Sequence, residues 1–340
     1  MRRAGWTFAA LVTACGGSSA NGSAPSVDAG LHAEPPPVPD ASPASGLTMV
    51  TYAIRTVDFG ETSGWQTIGF DIDGKDTTAT STDVCQRVGG AASSVQVDGV
   101  DGRDDSFGEN FIELIHSSGL TNLAKSDAAS IAAGAATDLV FVPVASSAGD
   151  LTGAAGGFVN SSVLEHTPAW DGTDAWPIDG LSLENDTIAT PLLVFPNGYF
   201  TGGEWVSGVS TGSGRVTIMS PETYSGKWPI SHVTITIDHP GADTVNGVFS
   251  GVIQLWPFVG LLLDENPMST VCTNGDFTTV QGLINQLAGG ADILNDGTQD
   301  PAQACDGMSI AFNFTASKVT TGIVVETMAP PACVVPPSSR

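Results

Sequence analysis

Positive charge is scarce in this chain: 11 Lys and Arg stand against 36 Asp and Glu, a formal net charge of −25. Nucleic acid is gripped through phosphates whose counterions Lys and Arg displace, so this balance excludes that class of partner. Anionic lipid headgroups would repel the same surface. The apolar stretch Gly5–Ala14 is too short to cross a bilayer by itself. Cysteine is sparse, five residues with no C-x-x-C and no adjacent His, which removes the common zinc frameworks. Charged residues make up 14% and aromatics 7%, while Gly reaches 41 residues; with abundant Ser and Thr, this composition points outward from the cell.

What is present begins with a targeting pattern. Arg2 and Arg3 form a basic start, Gly5–Ala14 an apolar segment, and Leu11-Val12-Thr13-Ala14-Cys15 resembles the lipobox of bacterial lipoproteins. The resemblance implies a signal peptide over residues 1–14, acylation of Cys15 and, with Gly16 rather than Asp next, sorting to an outer membrane. Removing the two arginines from a charge of −25 leaves −27, so contact with the membrane is expected through the lipid alone. Residues 15–46 are rich in Ser, Gly, Ala and Pro, and they read as a lipidated Cys followed by a disordered tether.

Residues 47–336 read as one large folded region, with room for two subdomains. Short β-branched or aromatic runs bounded by Gly, Pro or Asn predict strands at Thr48–Val57, Trp65–Ile72, Asp138–Val144, Phe158–Leu164, Arg215–Met219, Val233–Ile237, Val248–Leu255 and Met308–Phe314. This is a mainly β pattern, an antiparallel sandwich or barrel-like domain. Helical spacing over Phe107–Leu123 and Asp276–Leu294 adds two accessory helices, the first capped by Asp104 or Asp105. Beyond Cys15, the four cysteines Cys85, Cys272, Cys305 and Cys333 imply two disulfides with three possible connectivities. Proximity favours Cys272 with Cys305 and Cys85 with Cys333.

The acidic residues concentrate in two Gly-containing loops. Asp71, Asp73 and Asp76 occupy the first; Asp98, Asp101, Asp104 and Asp105 occupy the second. Calcium takes 6–8 oxygen ligands, and closely spaced Asp with Gly lets a loop converge several of them. An EF-hand is excluded, because Gly74 falls at the fourth loop place and Thr82 at the twelfth. The expectation is a structural calcium site shared by the two loops. The competing reading is that these Asp residues bond their own backbone in turns and caps.

Gly208-Val209-Ser210-Thr211-Gly212 matches the G-x-S-x-G pattern, but a strand-like run follows where a nucleophile elbow needs a helix, so it reads as a hairpin loop. His232 and His239 lie an odd number of residues apart and would face opposite ways on a regular strand, which prevents a shared metal. Trp170-Asp171-Gly172-Thr173-Asp174-Ala175-Trp176 could offer a glycan two indoles, with Asp171 and Asp174 as hydroxyl acceptors. The same tryptophans could equally pack against the domain.

Gly69-Phe70-Asp71-Ile72-Asp73-Gly74, Asp98-Gly99-Val100-Asp101-Gly102-Arg103-Asp104-Asp105 and Cys305-Asp306-Gly307-Met308 together resemble secreted lipoproteins of Gram-negative bacteria to which no activity is assigned. The resemblance implies architecture and location and no catalytic residue. The reading is therefore a lipid-anchored binding or structural module of the envelope or cell surface, with a glycan or an envelope protein as partner. Its rivals are a polysaccharide hydrolase, which needs two carboxylates facing across a cleft, and an envelope protein-interaction scaffold, which needs an exposed apolar patch.

Overall fold

Alternation along the strands decides the architecture. In a computed structural model describing residues 33–61, 64–88, 91–117, 122–145, 149–218, 227–264, 285 and 287–326, β1 (Thr48–Asp58) sends Tyr52 and Ile54 to one core and Ala53 to another. On β2 (Asp138–Val144), Val140 and Val142 join the first core while Leu139 and Phe141 join the second. On β3 (Gly156–Asn160), Phe158 and Val159 divide the same way. A period of two puts successive side chains on opposite faces, so the three strands serve two cores at once. The chain divides into Met1–Gly30 and Leu31–Arg340, and all described residues belong to the second unit.

The remaining strands among the described residues are β4 (Ala175–Asp179), β5 (Leu193–Phe195), β6 (Tyr199–Thr201), β7 (Glu204–Val206), β8 (Thr211–Thr217), β9 (Lys227–Asp238), β10 (Thr244–Gln254) and β11 (Gly307–Val325). Antiparallel pairing runs β9-β10-β11-β1-β2-β3-β5-β8 and returns to β9, closing a barrel-like ring. The larger core lies within this ring. There Phe249 and Phe312 stack at 4.5 Å between ring centroids, with Phe158 5.7 Å from Phe249. The smaller core is the outer face of β1–β3, covered by Leu164, Trp176, Ile178 and Leu183, and β4 pairs in parallel with the far end of β11.

Most predicted strands are present, and β2 has the bounds read from sequence. Trp65–Ile72 is a correction: Trp65–Thr67 is a 3₁₀ turn leading into an irregular loop, because Gly64 and Gly69 at φ +87° interrupt extended backbone. Phe107–Leu123 is also not one helix. A π turn at Phe107–Phe111 continues into α1 (Ile112–Ser117), and α2 (Leu123–Ala132) starts afresh with its first amides held by the Glu61 carboxylate at 2.8 and 3.0 Å. A third helix, α3 (Leu255–Asp264), was not expected; its Phe258 stacks 4.0 Å from Trp228, which also meets Phe107 and Phe111 edge-on. Most of Asp276–Leu294 lies outside the described residues, as do Cys15, Cys272 and Cys333.

The disulfide expectation is overturned for Cys305 with Cys272 and for Cys85 with Cys333. Cys305 is bonded to Cys85, with the Cα atoms 5.1 Å apart. Backbone bonds from Gln86 N–H to Gln303 and from Cys305 N–H to Gln86 run the two segments side by side, so spatial pairing overrides closeness in sequence. Residues 33–46, read above as part of a tether, are bonded to the folded region. Ala33 donates to Asp101 and accepts from Asp71, Tyr199 contacts the Pro36 carbonyl, and Pro43 bridges Thr152. Proline lowers the entropy lost when such a segment is laid along a surface, which explains why few apolar side chains suffice.

Ser210 is part of a bulge. β7 and β8 pair with successive stretches of the same strand, β9, and the chain between them stays attached to it. Ser207 and Ser210 donate their N–H groups to the Ile235 and Val233 carbonyls, and their hydroxyls accept from the Ile235 and Val233 N–H groups at 2.8 and 2.9 Å. The hydroxyl of the G-x-S-x-G match thus completes a β ladder, and no hairpin is formed there.

Candidate functional site

Two segments without regular structure meet beside β11, and between them they bring three carboxylates. Asp71 and Asp73 come from the loop after Gly69; Asp104 comes from the segment that leads into the π turn. One carboxylate oxygen from each lies within 4.8 Å of the others. Asp104 is 1% exposed; its Oδ2 accepts from the Ile72 and Asp73 N–H groups at 2.6 and 3.3 Å, while its buried Oδ1 has no hydrogen-bond partner among the described residues. Asp71 Oδ1 accepts from the Gly74 and Lys75 N–H groups, and Asp73 Oδ1 also accepts from Lys75 N–H at 2.8 Å. Gly102, at φ +74°, passes close enough that a Cβ there would meet the Lys75 carbonyl at 2.6 Å and Asp71 Oδ2 at 3.1 Å. The turn chemistry expected of these Asp residues is therefore present, and among the described residues it leaves Asp104 Oδ1, and likewise Asp105 Oδ2, without a partner.

Two further carboxylates act on this group. Asp98 accepts from Thr77 N–H, and Asp292 holds the Ser309 N–H at 2.9 Å and the Ser309 hydroxyl at 2.5 Å. Burial first, and then the neighbouring negative charges, push these groups up: Asp73 to about 6, Asp292 to about 7 and Asp98 to about 9. Asp104 is raised well above the ordinary carboxylate range by burial and by the charges of Asp73, Asp98 and Asp292. The lysine nearest in sequence, Lys75, directs its ammonium to the Asp83 carboxylate and, at 2.7 Å, to the Asp83 carbonyl. Gln299 stitches the centre together, donating from Nε2 to Asp73 Oδ2 at 2.7 Å and to the Asp292 carbonyl, and accepting from Cys85 N–H at 2.8 Å.

Of the seven Asp residues expected to ligate, Asp71, Asp73 and Asp104 come together, and Asp98 adds its charge. Asp76 and Asp101 are exposed, and Asp101 lies 3.6 Å from the Arg103 guanidinium. Asp105 does what its alternative reading says: its Oδ1 accepts from Gly108 N–H at 3.0 Å, capping the turn, and from Ala311 N–H. Asp292 and Gln299 were missed. Asp292 lies in the last turn of the stretch read as the second helix and Gln299 just beyond it, and only the fold carries this segment against the two acidic loops.

The tryptophan platform is a correction. Trp176 is fully buried in the smaller core, and Trp170 lies 5.7 Å from it with the Arg55 guanidinium over its ring at 4.8 Å. Asp174 is buried and accepts from the Ala169 and Trp170 N–H groups; exposed Asp171 accepts from the Thr173 N–H and hydroxyl. One strand of the second sheet face runs through Trp176, and period-two alternation turns its indole inward.

Comparison with protein-family models, with curated proteins and with solved structures finds no match for this chain.

Proposed function

We propose that this chain is a lipid-anchored module of a bacterial envelope, tethered through Cys15, that serves in binding or architecture and takes one calcium ion at the Asp71, Asp73 and Asp104 centre. The observation that carries the calcium reading is the buried Asp104 Oδ1, unpartnered among the described residues and set among carboxylates whose charges oppose one another. A hard dication supplies the missing partner and reverses the repulsion, and carboxylate oxygens are the ligands it prefers. Asp71, Asp73 and Asp104 would hold it, with Asp98 contributing charge. The ion's role is structural: it joins the two acidic loops. With Asp104 and Asp105 only 1% and 2% exposed, these carboxylates are poorly placed to meet a polysaccharide chain, which weighs against the hydrolase reading.

Extracellular calcium modules bind at about 10⁻⁴ to 10⁻³ M. At the tighter end, 1 mM calcium adds about 1.4 kcal/mol, a rise of roughly 3–6 °C in Tm for a chain of this size. Melting in excess chelator is to be compared with melting in 1 mM calcium, beside Asp71→Ala/Asp104→Ala. Equal Tm values for the wild type in both, with no metal in elemental analysis, would overturn the site. The anchor is tested separately: Cys15→Ser should move the protein from the detergent phase to the aqueous phase. The scaffold reading keeps one observation in its favour, a groove lined by Met49, Phe141, Ile188, Pro191 and Val194 in which Met49 and Ile188 are exposed.

A further inference from the structure

Only four lysines occur in the sequence, and one of them, Lys227, is buried with its side chain 6% exposed. It opens β9, and its ammonium contacts Asp179 Oδ2 at the end of β4, a side chain 1% exposed. The other carboxylate oxygen, Asp179 Oδ1, accepts from the Leu181 backbone N–H at 3.0 Å. A third group sits beside the pair. Lys227 is the cross-strand partner of Thr217, whose N–H and hydroxyl bind the buried Asp138 at 2.9 and 2.7 Å, and Asn160 Nδ2 donates to the same carboxylate at 2.7 Å. Burial pushes Asp138 up to about 7, with the Lys227 charge acting in the opposite sense; the geometric link between them is Thr217, bonded to Asp138 and paired across strands with Lys227.

A buried ion pair is a poor way to hold strands together, since the cost of removing two charges from water can exceed their attraction. An amide between the same two side chains carries no charge and releases a water molecule. Fixed contact also raises the effective concentration of the reacting groups, to as much as about 10⁵–10⁸ M in well-oriented cases. We propose that Lys227 and Asp179 condense into an intramolecular isopeptide bond that locks β9 to β4, with Asp138 relaying the protons.

The step balances without any outside reagent. A proton passes from the Lys227 ammonium to the Asp179 carboxylate, giving a neutral amine and a neutral acid. The Nζ lone pair then forms the N–Cγ bond, and the developing charge on Oδ1 is met by the Leu181 N–H, the position an oxyanion donor must occupy. Asp138 accepts the proton that nitrogen gives up and returns one to the departing oxygen, Oδ2. The Cγ–Oδ2 bond breaks and one water leaves, so amine plus acid become amide plus water and Asp138 ends as it began.

The test is intact mass of the full chain, reduced and denatured. The wild type should fall short of its processed sequence mass by one water, about 18 Da, and a digest should contain a branched peptide joining the segments of Lys227 and Asp179. An amine-reactive label applied in denaturant should reach the other three lysines and miss Lys227. Lys227→Met and Asp179→Ala should each restore the full mass. Should Lys227→Met fail to fold, the wild-type digest alone still decides: linear peptides bearing a free Lys227 and a free Asp179 overturn the bond. Asp138→Asn tests the relay, because it keeps an oxygen for Thr217; full mass persisting in a variant with cooperative melting is expected, and loss of water at the wild-type rate would remove Asp138 from the step.

Discussion

Two places in this molecule bury carboxylates, and they are built on opposite terms. Around Asp138 and Asp179, the acidic oxygens meet donors from Thr217, Asn160, Leu181 and the Lys227 ammonium. Around Asp104, most donors are backbone N–H groups, the neighbours are other carboxylates, and one oxygen has no partner among the described residues. Buried polar groups are nearly always paired, so the first centre explains itself from within the chain while the second calls for a partner that the described residues do not supply. Burial alone therefore does not mark a binding site. The sign of what surrounds the buried group does.

The largest expected effect tests whether the acidic centre is held by covalent means. Cys85→Ser/Cys305→Ser opens a link across 220 residues, worth about 5 kcal/mol by chain entropy. Because Cys85 N–H also positions Gln299, and through it Asp73, calcium-dependent melting should weaken along with stability. Next, removing one charge from each centre should give opposite signs. Lys227→Met strands Asp179 in the core and should cost about 3–5 kcal/mol. Asp104→Asn should leave stability in chelator unchanged or raised, because it relieves repulsion, and should abolish the gain from calcium. A fall of similar size in both variants would erase the distinction.

The pH dependence separates the centres further. Asp73, Asp292 and Asp98 have folded values raised to about 6, 7 and 9, so the fold keeps protons that the unfolded chain releases near pH 4. Their contribution is complete below about pH 4 and is lost as pH rises through the folded values. In chelator, stability should fall between pH 5 and 8 by on the order of a few kcal/mol. Calcium favours the ionised carboxylates and should flatten that fall. Asp138, also raised to about 7, adds a slope that calcium leaves untouched. Denaturant melts at pH 5, 6.5 and 8, with and without the ion, resolve the two. The smallest effect is a control: Asp76→Asn/Asp101→Asn should shift stability by less than about 0.5 kcal/mol and leave calcium melting unchanged, since both residues are exposed.

How much of this was legible in the sequence depends on range. The strands that read well, β1, β2 and the central part of β9, carry their own β-branched and aromatic pattern, which is local information. Asp105 as a cap was legible for the same reason, since its acceptor and the Gly108 donor are three residues apart. Asp71, Asp73 and Asp104 could be nominated because Asp and Gly alternate along two loops, but nothing local distinguishes them from Asp76 and Asp101. Asp292 and Lys227 were invisible as site residues. Each acquires its role from a segment far away, and a lysine that opens a strand looks in sequence like any solvated charge. Cys85 fails for the same reason: its partner is chosen by a pairing between loops, and spacing carries no trace of it.

Closure of the ring has a consequence in time. β1 is bonded on one side to β2 and on the other to β11, where Thr51 meets Thr321 across 270 positions of chain. At about 5–20 residues per second, synthesis takes roughly 15–50 s to travel from one to the other. Through that interval the first strand holds β2 on one edge and nothing on the other, and a bare edge is a template for any passing strand. Folding of this chain therefore finishes only after its last strand has been made, and its first strand waits longest.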